Sequence, residues 1–62
     1  MTAEQHRLLI QDISRKLYIA EHGMGMPYSR DDVLHYRRLL VDALAADPNS
    51  ADVQLAAKLV KS

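Results

Sequence analysis

Two interruptions constrain what this chain can fold into. Gly23-Met24-Gly25-Met26-Pro27 holds both glycines and one of the two prolines, and Asp47-Pro48 holds the other proline. A helix cannot run through the first, and the second disfavours helical backbone at the residue before the ring. Around these breaks apolar residues recur every three or four positions, and no stretch sustains the period of two that a half-buried strand needs. The pattern predicts an all-α fold with a single helical domain over 1–62. An antiparallel helical hairpin, about 3–22 and 30–46, precedes a shorter third helix at about 50–60. The small bundle is expected to be completed by dimerisation.

Local signals set the helix ends. Thr2 and Gln5 have the spacing of a capping box, and Gly23 suits the left-handed residue that closes a helix. Ser29 is the expected cap of the second helix, with Asp31 and Asp32 in the first turn, where the dipole favours negative charge. Asn49 or Ser50 caps the third, whose last turn carries Lys58 and Lys61.

Stepping about 100° per residue around each helix reveals more apolar surface than a hairpin can bury. Leu9, Ile13, Leu17 and Ala20 share one face of the first helix, beside Ile10 and His6. Val33, Tyr36, Leu40 and Leu44 share one face of the second, flanked by Leu39 and Ala43. These two faces are expected to meet. Leu8 and Ile19 lie elsewhere on the first helix, and Leu34, Val41 and Ala45 form another stripe on the second. The third helix is apolar over about half its circumference, from Leu55 and Leu59 round to Val53, Ala56, Ala57 and Val60.

A chain of this length buries only about 60% of the surface it exposes unfolded. With no Cys it has neither disulfides nor thiolate zinc sites, which leaves oligomerisation or partner binding as the expected staple. Each Leu or Ile buried contributes roughly 1.5–3 kcal/mol, so a few can decide whether a marginal domain folds alone. Leu8, Ile19, Leu34 and Val41 are therefore the expected interface, in a symmetric homodimer or against another protein. Met24, Met26 and Tyr28 form a second candidate contact surface, because Met side chains conform to varied partners and Tyr anchors them.

Chemistry is sparse. His6, His22 and His35 raise the question of metal, and Asp31 with His35 at i, i+4 could supply two ligands, short of the three or four a stable site needs. Ser29 and Ser50 are better explained as caps than as nucleophiles, and neither glycine belongs to a phosphate-cradling motif. No metal, no cofactor and no enzymatic activity are expected. Eight basic and eight acidic side chains balance, which removes any global attraction to nucleic acid or anionic membrane. An alternative reading nonetheless gathers Arg15, Lys16, Arg30, Arg37 and Arg38, with Tyr18 or Tyr36, into a local nucleic-acid contact. The first residues lack the basic and apolar regions of a secretory signal, and no apolar run approaches a membrane span. A cytoplasmic protein without membrane association is expected.

Ala43-Leu44-Ala45-Ala46-Asp47-Pro48-Asn49-Ser50-Ala51 resembles the junction between tetratricopeptide repeats, over that junction alone. The hairpin outline with Gly at the turn is similar to the short aspartyl-phosphate phosphatases of sporulating bacteria. Those carry Ser-Gln-x-Leu-Asp where this chain has Tyr36-Arg37-Arg38-Leu39-Leu40, so the resemblance implies no phosphatase activity. The expected role is protein–protein interaction by helix-face docking, as a small regulator, adaptor or inhibitor of a larger bacterial or phage assembly. A structural subunit of a larger particle is a further alternative. Leu8→Lys and Ile19→Lys are predicted to disrupt association while leaving the chain helical. Light scattering and circular dichroism on each variant check this, and outright unfolding of both would place these residues in the core.

Overall fold

Thr2 starts the first helix by exchanging hydrogen bonds with Gln5. The Thr2 hydroxyl accepts from the Gln5 amide at 3.1 Å, and the Gln5 side-chain oxygen accepts from the Thr2 amide at 3.0 Å. Two of the amide groups that every helix start leaves without partners are thereby satisfied. The resulting helix, α1, spans Ala3–His22 and closes at Gly23 with φ 60°, a left-handed conformation that suits a residue without Cβ. The structure, a computed structural model, describes residues 1–23 and 30–61. Met24, Met26, Tyr28 and Ser29 fall outside the described residues.

Helix α2 spans Arg30–Ala45 and carries Asp31 and Asp32 in its first turn. At its end Asp47 organises the reversal: its carboxylate accepts from the Asn49 amide at 3.0 Å and its carbonyl from the Ser50 amide at 2.9 Å. Ser50 then accepts from the Val53 amide at 3.2 Å, which makes Ser50 rather than Asn49 the residue that caps helix α3, Ala51–Lys61. The described residues contain these three helices and no strand.

Cross-helix contacts give the direction of each element. Arg37 on α2 bonds Glu21 near the end of α1, while Ala43 on α2 bonds His6 near its start, so the two helices run antiparallel. Lys16 on α1 reaches the Val60 carbonyl in the last turn of α3. The short connection after α2 turns α3 back across both partners. The radius of gyration, 11.5 Å, is close to the roughly 10.6 Å expected of a compact domain of this length.

The core is one layer of small and branched side chains. Leu9 and Ile13 from α1, Leu39 and Ala43 from α2, and Val53, Ala56 and Val60 from α3 form a single buried cluster. Ile10, Tyr36, Leu40, Ala46, Ala57 and Met1 pack around it, partly buried. Ile13 and Val53 have no exposed surface at all.

Leu44 was expected to share the buried face with Leu40, yet it is 60% exposed. Helix α2 must face α1 and α3 together, and the direction between them passes through Leu39 and Ala43. Leu40 is left at the edge of the core and Leu44 turns outward. The contrast is measurable. Ile13→Ala is predicted to cost about 2–5 kcal/mol, enough to abolish cooperative unfolding in so small a domain. Leu44→Ala in the dilute monomer is predicted to stay within about 0.5 kcal/mol of the parent. Urea unfolding followed by circular dichroism checks both.

Candidate functional site

The same rotation that turns Leu44 outward leaves an apolar surface on the far side of α2. Leu34 and Val41 are seven residues apart, two turns along one side of the helix, and Ala45 lies one further turn on. Leu34 and Val41 are 55% and 63% exposed. Helix α3 adds Leu55 and Leu59, also exposed and one turn apart. None of these side chains belongs to the buried cluster.

Between α2 and α3 the surface dips into an open groove of about 250 Å³. Leu39 and Ala56, both core residues, form its apolar floor, and Leu55 and Leu59 extend that apolar lining outward. His35, Arg38 and Asp42 from α2 and Asp52 from α3 supply its polar lining. Among the described residues, no ion pair within the chain engages Arg38, Asp42 or Asp52.

A second groove, of about 490 Å³, lies between α1 and α3. Met1, Leu8 and Leu9 meet Ala57 and Val60 there, with Asp12 and Lys61 alongside. Leu8 is half exposed at this edge. Ile19, eleven residues further along the same side of α1, is partly buried.

The basic residues named as an alternative nucleic-acid contact are not gathered on one surface. Lys16 is directed at Asp12, 3.6 Å away, and at the α3 terminus. Arg37 crosses to Glu21 at 3.0 Å, on the α1 side of the hairpin. Arg38 belongs to the α2–α3 groove instead. Arg15 and Arg30 are exposed on separate helices.

The histidines have structural partners. His6 is partly buried, and its Nε2 lies 2.6 Å from the Ala43 carbonyl, which can only accept, so that nitrogen carries the proton. The Ala43 carbonyl is among the last four of α2, which have no partner within a helix, and His6 satisfies it from another element. Lys16 does the same for Val60 on α3. His22 donates from Nδ1 to the Tyr18 carbonyl at 2.9 Å and stacks on the Tyr18 ring. Among the described residues, no three His, Asp or Glu side chains converge as metal ligands, and no helix is long and apolar enough to cross a membrane.

Sequence reasoning placed Leu34 and Val41 off the hairpin face but missed the outward turn of Leu44 and the rim that Asp42 and Asp52 form with Arg38. The spacing of His35, Arg38 and Asp42, at i, i+3 and i+7, does carry a signal for one polar strip along α2. Comparison with protein-family models, curated proteins and solved structures finds no match to this chain.

Proposed function

We propose that this chain is a non-enzymatic protein-interaction module that docks through the outer face of α2 and α3 and acts as a small regulator, adaptor or inhibitor. The observation that carries this reading is the exposure of Leu34 and Val41 on α2 and of Leu55 and Leu59 on α3. Small monomers seldom expose adjoining large apolar side chains rimmed by charge unless the surface is used. The chain arranges them as docking helices do, with apolar anchors at one- and two-turn spacing.

The energetics favour association over catalysis. The apolar anchors contribute when another surface removes them from water, each by roughly 1.5–3 kcal/mol on full burial. The charges around them hold position at an exposed rim, where they fix orientation more than affinity. Both grooves are open, so neither encloses a reacting group away from solvent, and the reading assigns no catalytic residue.

Photo-cross-linking in living cells tests this role. A benzophenone amino acid in place of Val41 is predicted to form a covalent adduct with another polypeptide, whether a second copy or a different protein. The same group in place of Arg7, exposed on α1, is predicted to give much less. Absence of any adduct from Val41 and from Leu55 would contradict the reading.

A further inference from the structure

We infer that the surface docked by the α2–α3 face is a second copy of this chain, related by a two-fold axis that sets the two α2 helices antiparallel. This rests on the docking role proposed above and commits it to one occupant.

The charge order along the groove supplies the argument. His35 and Arg38 lie toward the start of α2, while Asp42 lies toward its end, beside Asp52 at the start of α3. One half of the rim is basic and the other acidic. A parallel copy would set like charge against like. A two-fold axis through the middle of α2, near Leu39 and Leu40, reverses the order. Arg38 then faces Asp42 and Asp52 of the second copy, and the same contact repeats on the other side of the axis, as an isologous interface requires. Asp31, a further carboxylate on this side of α2, falls opposite the turn that follows the other α2, near Asp47, whose carboxylate is held by the Asn49 amide. The exposed Arg30 next to Asp31 brings an opposing positive charge to the same place.

The apolar side chains fit the same register. Leu34, Arg38, Val41 and Ala45 follow one another at i, i+4, i+7 and i+11, a continuous seam along the helix. Reversal places Leu34 against Ala45 of the second copy, a large side chain against a small one, and Val41 beside the methylene stem of Arg38. Leu55 on α3 widens the apolar strip. Among the described residues no ion pair engages Arg38, Asp42 or Asp52, so their charges are available to the second copy.

Sedimentation equilibrium on the full chain tests the inference. The parent chain is expected to form a reversible dimer. Arg38→Asp leaves His35 as the one basic side chain on the rim and Asp42→Arg leaves Asp52 as its one carboxylate, and each alone is expected to weaken dimerisation by about tenfold or more. An equimolar mixture of the two variants is expected to restore a heterodimer of near-parental affinity, because opposite rims then face each other. Far-UV circular dichroism accompanies every sample, and Arg38→Glu with Asp42→Lys replaces the pair if either variant loses helix.

A dimer that ignores the swaps, or a mixture that stays monomeric while both variants remain helical, overturns the inference. A monomeric parent chain whose Val41 still cross-links to another polypeptide overturns the second copy and leaves the docking role standing. A monomeric parent without cross-links overturns both.

Discussion

Helix α3 is too short to cover the hairpin it packs against, and most of the molecule follows from that mismatch. Its 11 residues span about 16 Å, whereas the 20 residues of α1 span about 30 Å. The third layer therefore reaches only part of the hairpin, and the core condenses where all three helices overlap. Ile13 and Val53 sit at that overlap without exposed surface. On the opposite side of α2, Leu34 and Val41 are turned away from that overlap and are exposed, as is Leu44.

Side chains of α1 tie the other two helices at their ends. Each helix terminus leaves carbonyls without partners, and burial makes such groups costly unless something donates to them. His6 supplies that donor to α2 and Lys16 to α3, so α1 satisfies the last turn of both helices as well as packing against them. Ala43 and Ala56 add small side chains to the same buried cluster. The structure thus spends few large side chains on its interior, and that economy is why so many are left for an outer face.

Much of this was legible from local chemistry. Thr2 with Gln5, Gly23 and the Asp47-Pro48 break each act within one turn of backbone, and the three helices follow from them. Rotation about the helix axis was less legible because it is set by distant partners. Leu40 and Leu44 look equivalent to Leu39 and Ala43 in periodicity, and only the position of α3 separates them. The candidate surface divides in the same way. Leu34 and Val41 stood apart by spacing alone, whereas the alliance of Arg38 and Asp42 with Asp52 depends on how α3 folds back. The choice between Asn49 and Ser50 as cap was likewise open until Asp47 was seen to occupy the Asn49 amide.

On α2 the core closes on Leu39 and Ala43, and the stripe of Leu34 and Val41 lies outside it. Relaxation of methyl protons by a soluble paramagnetic probe, on the chain at high dilution, tests it most directly. Strong broadening is expected at Leu34, Val41, Leu44 and Leu55, with Ile13 and Val53 nearly untouched. Protection of Leu44 and Val41 equal to that of Ile13 would contradict it, because the outer face would then be part of the core.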